Sequence, residues 1–186
     1  MLVPIIATII RVTWVAVEYP YLRRFRVKPT QDWDKHSAKV WDVAHAIEVL
    51  GMVLGFLGIG RMQFAPHLVG SIGLVLLLAG ITIRWVAIFT LGKYFTGTVL
   101  IKTDHRLVRS GIYKHLRHPS YTGLLLGHLG VGLAFANWYS LVLSSVPYLL
   151  AALYRMSVEE RALTSAFGPE YSAYCKTSKR LIPRVY

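Results

Sequence analysis

Two neighbouring carboxylates, Glu159 and Glu160, are the residues of this sequence best suited to holding a polar ligand. Adjacent residues of a helix point about 100° apart, so Arg155, one turn earlier, can pair with only one of them. A carboxylate without such a partner can accept hydrogen bonds from ribose hydroxyls or from an ammonium group. The pair therefore indicates a binding site, with an exposed helix surface as the alternative.

A second group of polar residues is the sequence RHPSY at 117–121, which stands directly before a long apolar run. Its Arg117 is either a cationic anchor that keeps a helix end in water or one wall of a ligand site. An arginine can bind a carboxylate with two parallel hydrogen bonds. Acidic, basic and aromatic residues together favour a zwitterionic ligand that also carries hydroxyls and a flat heterocycle. Four aromatic residues accompany the two polar groups: Tyr113, Tyr121, Tyr171 and Tyr174.

The elements that must position these residues are apolar. The chain has 186 residues, of which 54% are hydrophobic and 16% are charged, and its mean hydropathy is +0.46. A soluble domain is closer to one quarter charged, so the composition indicates an integral membrane protein with several spans. The single cysteine, Cys175, excludes an intramolecular disulfide framework and a cysteine-rich zinc site, and no metal centre is predicted.

The apolar stretches predict five transmembrane helices. Residues 118–154 contain no Asp, Glu, Lys or Arg, and a single helix of these 37 residues would be about 55 Å long. Because the hydrocarbon core of a bilayer is only about 30 Å thick, this stretch must fold back, and we expect the reversal at Asn137. The five spans are expected near 2–21, 40–59, 66–90, 120–135 and 139–156.

Basic residues distinguish the two ends of these spans. Six lie between the first and second spans, six lie between the third and fourth, and six occur from Arg155 onward, whereas the opposite side has only Arg61. This positive-inside pattern predicts an outside N-terminus and a cytoplasmic C-terminus. The polar residues of 107–123 and 154–183 are then expected at the cytoplasmic face of an inner or plasma membrane. The pattern also accounts for the net charge of +12, so nucleic-acid binding is not predicted.

Several polar residues fall inside the predicted spans. Arg11 lies near mid-span and needs a partner that the sequence does not identify, whereas Arg84 is close enough to a helix end to snorkel to the interface. Asp42, His45 and Glu48 recur every three residues, which favours an interfacial polar stripe over a metal site.

Small residues in the spans predict close helix packing, notably Gly123 and Gly127 in the fourth span. We interpret this packing as intramolecular, which favours a monomer over a dimer. His128, alone among apolar neighbours, is interpreted as an ordinary helix residue. No linker or repeat divides the chain, so residues 1–186 are expected to form one domain.

The motifs of the C-terminal half follow a fixed order, from LVRSGIYKHLRHPSYTG at 107–123, through an apolar hairpin and the EE pair, to FGPEYSAYCKTSKRLIP at 167–183. This order resembles the isoprenylcysteine carboxyl methyltransferase family. The resemblance extends over about residues 84–183. The family also includes prokaryotic membrane methyltransferases and, more distantly, phospholipid N-methyltransferases. Sterol reductases share part of the RHPxY pattern, so this motif marks a cofactor pocket more reliably than a reaction.

The resemblance implies an all-α, multi-span enzyme that binds S-adenosylmethionine in a cytoplasmic pocket formed by its C-terminal half. Carried over by position, the residues that line the cofactor pocket are Tyr113, Leu116, His118, Pro119 and Tyr121. Those that hold the polar groups of the cofactor are Glu159 and Glu160, and those that close the site are Tyr171 and Arg180.

The resemblance also assigns residues to the acceptor. Arg117 and Arg155 match positively charged family positions near the acceptor and are the expected catalytic residues. Gly123 and Gly127 are expected to leave space for the apolar portion of the acceptor.

Methyl transfer from a sulfonium chiefly requires alignment, and a carboxylate or thiolate acceptor needs no general base. The expected partners are membrane lipids and a lipophilic or lipidated acceptor, foremost a carboxylate such as that of an isoprenylcysteine-like substrate. A small thiol and a phospholipid amine stay open as acceptors. A membrane reductase that uses NADPH and a non-enzymatic membrane protein are the other two classes.

Overall fold

The computed structural model describes residues 1–24, 37–95, 106–183 and 185–186, and omits the side chains of residues 37 and 38. The basic residues of the charge pattern that lie outside these ranges are Arg26, Lys28, Lys35, Lys102 and Arg184. Within the described ranges the regular structure is helical, as predicted from the sequence.

Five long helices match the five predicted apolar stretches. They are α1 (Leu2–Arg23), α2 (Ser37–Phe56), α3 (Pro66–Leu91), α4 (Pro119–Ala134) and α5 (Trp138–Phe167), followed by the short helix α6 (Pro169–Thr177). Three of the described helices are long and apolar enough to cross a membrane: α1, α3 with the turn that follows it, and α5. α4 has only 16 residues, and α2 carries two acidic residues, so a crossing by all five stays a prediction.

Capping residues, prolines and a glycine mark the boundaries of these helices, and the reversal lies at Asn137 as predicted. Asn137 caps α5, since its side-chain oxygen accepts a hydrogen bond from the backbone N–H of Ser140 at 3.0 Å. Pro66 and Pro119 begin α3 and α4, where the missing N–H costs no hydrogen bond. Gly168 separates α5 from α6, and its φ of +48° is a backbone conformation that residues with a side chain rarely adopt.

Glycines let α3 and α4 pack backbone against backbone. A Cβ added at Gly80 would lie 2.3 Å from the backbone nitrogen of Gly127, and one at Gly123 would lie 2.5 Å from that of Arg84. A Cβ at Gly127 would also meet the indole of Trp14 at 2.9 Å. The expectation that Gly123 and Gly127 leave space for an acceptor is therefore wrong, because α3 and Trp14 fill that space. The prediction of close helix packing is confirmed.

Arg11 finds its partner in α2. Its Nη2 donates to Glu48 Oε2 at 2.8 Å and its Nε donates to Oε1 at 3.3 Å. The same carboxylate accepts from His128 Nδ1 at 2.7 Å and from the Tyr148 hydroxyl at 3.0 Å. His45 Nδ1 accepts a hydrogen bond from Arg11 Nη2 at 3.0 Å. We refer to these five residues as the Arg11–Glu48 cluster.

The cluster corrects two interpretations made from the sequence. Glu48 is only 1% exposed, so it does not belong to an interfacial stripe. His128 is not an isolated helix residue, because it bonds to the Glu48 carboxylate from a different helix. A charge placed in apolar surroundings is costly unless it is paired, and here α1, α2, α4 and α5 all contribute to the pairing.

Arg84 joins α3 to α1 and to the start of α4. Its Nε donates to Glu18 Oε2 at 2.8 Å, and the same carboxylate oxygen accepts from Trp14 Nε1 at 2.6 Å. Its Nη1 donates to the carbonyl of Ser120, in the first turn of α4, at 3.2 Å. The side chain of Arg84 is 10% exposed and points into the protein, so the snorkelling interpretation is wrong.

The glycine contacts predict a graded loss of stability. A methyl group at Gly80 would press on the backbone of α4, and overpacking of this kind costs about 1–3 kcal/mol. At Gly70, on the same helix, an added Cβ would lie 3.1 Å from a Val3 methyl group, which can move, and 3.3 Å from the carbonyl oxygen of Ala134, so the contact is milder than at Gly80. We expect Gly80→Ala to melt several degrees below the wild type in detergent and Gly70→Ala to melt less far below it. Equal melting temperatures for the two variants would contradict this packing.

Candidate active site

The two polar segments of the sequence meet at the end of the bundle where α4 begins. The backbone N–H of Arg117 donates to the carbonyl of Lys179 at 2.7 Å, and that of His118 donates to the carbonyl of Arg180 at 3.1 Å. The N–H of Lys179 donates in turn to the carbonyl of His115 at 3.0 Å. These bonds form a short parallel pairing between the segment before α4 and the segment after α6.

Glu160 pairs with cationic side chains from both segments. Nε of Arg180 donates to Glu160 Oε1 at 3.1 Å, and a second guanidinium nitrogen donates to Oε2. Nε of Arg117 and Nε2 of His118 each lie 3.3 Å from Oε1. The carboxylate therefore fixes α5 both to the RHPSY segment and to the segment after α6, residues 178–186, which we refer to as the tail.

Glu159 faces a different set of partners. It accepts a hydrogen bond from the Tyr121 hydroxyl at 2.6 Å, and its Oε1 lies 3.5 Å from Nε of Arg155, one turn earlier in α5. Nδ1 of His118 lies 3.5 Å from its other oxygen, so this imidazole stands between the two carboxylates. The side chains of Glu159 and Glu160 are 25% and 15% exposed, which excludes the alternative of an exposed helix surface.

His118 carries positive charge more readily than an ordinary histidine. Burial by itself would lower the pKa of His118, but hydrogen bonds to and charges on Glu159 and Glu160 outweigh burial and raise this pKa. The protonated ring can donate from both nitrogens, one towards each carboxylate. An imidazolium thus offsets part of the repulsion between two adjacent acids.

Aromatic residues pack around this core. Burial raises the pKa of Tyr113 far above its usual value, so its hydroxyl stays protonated. Its backbone carbonyl accepts from the Tyr174 hydroxyl at 2.6 Å. Tyr171 packs edge-on against Tyr174, with 6.2 Å between ring centroids. The Tyr171 hydroxyl is buried beside the thiol of Cys175 and has no oxygen or nitrogen partner within the described residues.

The remaining residues predicted to form the site also lie here. Leu116 and Pro119 are buried next to His118. Arg155 is buried, whereas Arg117 donates to the carbonyls of Cys175 and Ser178 and so helps to hold the tail. The structure brings all of the predicted site residues to one end of the bundle, and their roles towards ligands stay predictions. The residues are Tyr113, Leu116, Arg117, His118, Pro119, Tyr121, Arg155, Glu159, Glu160, Tyr171 and Arg180.

Sequence reasoning missed Trp41, an aromatic residue near the start of α2. Its ring lies parallel to that of Tyr121, with 6.2 Å between centroids, and 5.8 Å from that of Tyr148. No motif surrounds Trp41, and it is 80 residues from Tyr121 in the sequence. The only available signal was an aromatic residue near the end of a predicted span.

Trp41 also lines a crevice of about 330 Å³ between α1 and α2. The crevice exists because α1 packs on α3 and α4 whereas α2 packs on α5, which leaves a gap between α1 and α2. Its apolar lining includes Val15 and Leu22 from α1 and Leu124 from α4, and the Arg11–Glu48 cluster contributes Arg11, His45, His128 and Tyr148.

Comparison with known proteins identifies the family. The model of the isoprenylcysteine carboxyl methyltransferase (ICMT) family matches residues 72–165, which is half of the chain. The chain belongs to the ICMT family. The match covers α4 and the part of α5 that carries both carboxylates, so the acidic pair and the RHPSY segment lie within the family's common region.

The similar proteins include one that is named a methyltransferase and one that is named a metal-resistance protein. Protein-S-isoprenylcysteine O-methyltransferase B of Arabidopsis thaliana is 30% identical over 148 residues, which are 76% of this chain and 74% of that protein. The cobalt-zinc-cadmium resistance protein CzcN of Cupriavidus metallidurans is 32% identical over 154 residues, which are 81% of this chain and 65% of that protein.

A solved structure supports the ICMT fold. It is that of the eukaryotic intramembrane Ras methyltransferase ICMT, with a TM-score of 0.67 and 28% identity. The match covers 78% of this chain and 52% of the solved one, so the chain spans about half the length of this relative. Together with the apolar helices, the family places this chain among membrane proteins.

The position of His118 predicts how stability depends on pH. Because its folded-state pKa is raised, its stabilising contribution is fully present below the ordinary histidine pKa of about 6.5 and is lost as pH rises through the raised value. We expect the melting-temperature difference between wild type and His118→Gln in detergent to be largest at acidic pH. His67→Gln, which removes an exposed histidine at the start of α3, is the control. A difference that grows as pH rises would contradict this placement.

Proposed function

We propose that this chain is an integral membrane methyltransferase that transfers a methyl group from S-adenosylmethionine to the carboxylate of a lipophilic, isoprenylcysteine-like acceptor. The observation that carries the proposal is the joining of Glu159 and Glu160 to the RHPSY segment through His118. Family membership adds the reaction, because several of the similar proteins are named protein-S-isoprenylcysteine O-methyltransferases.

The donor set of the site fits S-adenosylmethionine. Glu159 and Glu160 would accept hydrogen bonds from the ribose hydroxyls and the ammonium group, and Arg180 would meet the carboxylate of the cofactor. The buried hydroxyl of Tyr171 has the Cys175 thiol as a weak partner and no oxygen or nitrogen partner in the described part of the chain, so it would gain a stronger hydrogen bond from a cofactor that reached it. The bound cofactor supplies a methyl group that is activated by its attachment to a positively charged sulfur.

The residues of the chain would act by positioning rather than by proton transfer. A carboxylate acceptor is already a nucleophile, so the protein needs only to align it with the methyl group and to exclude water. Arg155 is buried beside Glu159 and would orient the carboxylate of the acceptor. Arg117 would contribute from the opposite segment while it holds the tail.

The proposal includes the arrangement in the membrane. All five long helices would cross, with the N-terminus outside and the active site at the cytoplasmic face of a plasma or inner membrane. The distribution of the basic residues supports this orientation, because only Arg61 lies at the opposite side. The chain would act as a single monomeric domain that comprises residues 1–186.

Ligand binding and methyl transfer test the function. The purified protein in nanodiscs is titrated with S-adenosylmethionine, with its demethylated product and with NADPH, and is then supplied with radiolabelled cofactor and N-acetyl-S-farnesylcysteine. We expect both adenosyl compounds to bind, NADPH not to bind, and label to enter the acceptor as a methyl ester. Binding of NADPH alone would favour a reductase, and binding of none of the three a non-enzymatic protein. Label on a thiol or an amine lipid only would change the acceptor class.

Two single substitutions test whether the acidic pair binds the cofactor. Glu159→Gln and Glu160→Gln keep the shape but remove a charged acceptor, and a hydrogen bond to a charged group contributes about 1.5–3 kcal/mol. We expect the affinity for S-adenosylmethionine to fall about ten- to a hundredfold in each variant. Glu170→Gln, which removes an exposed carboxylate at the start of α6, is the matched control. Unchanged affinity in both site variants would refute the assignment.

Arginine-to-lysine substitutions test the acceptor side. Lysine keeps the charge but cannot form two parallel hydrogen bonds with a carboxylate. We expect Arg155→Lys to lower turnover about tenfold or more while the affinity for S-adenosylmethionine stays near that of the wild type. Arg117→Lys should lower turnover and thermal stability together, because Arg117 also bonds to the tail.

Arg161→Lys is the control, since Arg161 is exposed and lies on the same helix. Full activity of both site variants would make these arginines simple interfacial anchors and would favour a neutral acceptor.

A further inference from the structure

A crevice runs along α1 from the active-site end of the bundle towards its middle. We propose that the Arg11–Glu48 cluster is the end wall of the acceptor site and limits the length of hydrocarbon chain that α1 and α2 hold between them. The proposal rests on the proposed function, because it concerns the acceptor of the same reaction. It assigns a role in specificity to charged residues that lie far from the reacting atoms.

The crevice borders the active site at Trp41. Trp41, which lines it, lies parallel to Tyr121, and the Tyr121 hydroxyl donates to Glu159 at 2.6 Å. An acceptor whose head group meets the cofactor beside Glu159 would therefore direct its chain past Trp41. Beyond Trp41 the chain would meet Leu124 and Val15, which are apolar. Two carboxylates also line this part of the crevice: Asp42 of α2, and Glu18 of α1, whose charge is paired with Arg84.

The other end of the crevice is polar and occupied. Arg11 of α1 and Glu48 of α2 approach to 2.8 Å, and His128 and Tyr148 hold the same carboxylate from α4 and α5. A hydrocarbon chain that passed this point would have to separate a buried ion pair, and it offers no hydrogen bond in return. The chain also gains little hydrophobic energy there, because the surrounding lipid is equally apolar. Added carbons beyond the cluster therefore find no binding space.

The geometry sets a scale for this limit. Leu22 and Arg11 both line the crevice and are eleven residues apart on α1, which corresponds to about 16 Å along the helix axis. Acceptor chains up to about this length would make contacts along the whole crevice. Longer chains would have to leave it sideways between α1 and α2, where further carbons contact lipid.

Two tryptophans at different depths report on the position of the chain. Trp14 packs next to the end wall, with the guanidinium carbon of Arg11 5.4 Å from its ring centroid, and Trp41 stands at the active-site end. The probes are N-acetyl-S-alkylcysteines that carry a terminal bromine, which quenches nearby indole fluorescence, with chains shorter and longer than about 16 Å.

In nanodiscs, we expect bromine on short chains to quench Trp41 and bromine on chains of intermediate length to quench Trp14. Quenching of Trp14 should fall again for the longest chains. The contribution of each indole is identified from the Trp14→Phe and Trp41→Phe variants. Failure of every chain length to quench Trp14 would overturn the proposal.

Substitutions on one helix test the limit through catalysis. Val15 lines the crevice one turn closer to the active site than Arg11, whereas Val17 is 55% exposed and is not among the lining residues. Val15→Phe should lower kcat/KM for long chains relative to short chains about tenfold, and Val17→Phe should leave this ratio unchanged. An unchanged ratio in Val15→Phe, or the same shift in both variants, would overturn the proposal.

The end wall itself is tested by the double variant Arg11→Leu/Glu48→Gln. The amide at position 48 has one oxygen, which can accept from His128 Nδ1, and an NH2 group, which can donate to the Tyr148 hydroxyl, and no buried charge is left without a partner. We expect this variant to extend the range of chains that quench Trp14 towards longer ones. An unchanged range in a folded variant would overturn the role of the cluster.

The quenching measurement needs no methyl transfer, so it separates this proposal from the proposed function. Depth-dependent quenching without transfer would support the chain site and refute the reaction. Transfer without quenching of Trp14 would refute the end wall and leave the reaction intact.

Discussion

An ionised side chain inside an apolar helix bundle needs a partner of opposite charge, and for Arg11 and Arg84 that partner comes from a different helix. Arg11 binds Glu48 of α2, and Arg84 binds Glu18 of α1. Because separating either pair would leave a buried charge without compensation, each pair fixes the relative position of two helices. α1 packs on α3 and α4 but not closely on α2, so the Arg11–Glu48 pair determines how far apart those two helices stand.

The same electrostatic requirement shapes the candidate active site. Two adjacent carboxylates repel each other, and the site relieves this repulsion by placing His118 between them and Arg180 and Arg155 on either side. These cations come from three segments: the one before α4, α5 itself and the tail. The acidic pair thus serves as an anchor for the surrounding chain as well as a candidate ligand for the cofactor.

Local features of the fold could be predicted from the sequence, whereas contacts between helices could not. The apolar run 118–154 and the cap at Asn137 define a helical hairpin because length and capping are local properties. The pairing of Arg11 with Glu48 spans 37 residues and depends on which helices become neighbours. Gly123 illustrates the same limit, since the sequence reveals a small residue but not the backbone of α3 that fills the space beside it.

The candidate site likewise combines features that could be predicted from the sequence with features that could not. The order of its motifs is a property of the sequence, and this order was enough to single out the residues that meet at one end of the bundle. The sequence did not reveal Trp41, whose position beside Tyr121 depends on the packing of α2 against α5. It also did not reveal that Arg117 bonds to the tail carbonyls, because that contact exists only after α6 has folded back.

The parallel pairing between Arg117–His118 and Lys179–Arg180 has a consequence for the order in which the protein is made. A ribosome synthesises all five long helices before it reaches residue 179, so the bundle can insert while one wall of the active site does not yet exist. During this interval Glu160 lacks Arg180, and the RHPSY segment lacks its backbone partner. The cofactor site that we propose is therefore complete only after the tail has been synthesised and has paired with the RHPSY segment.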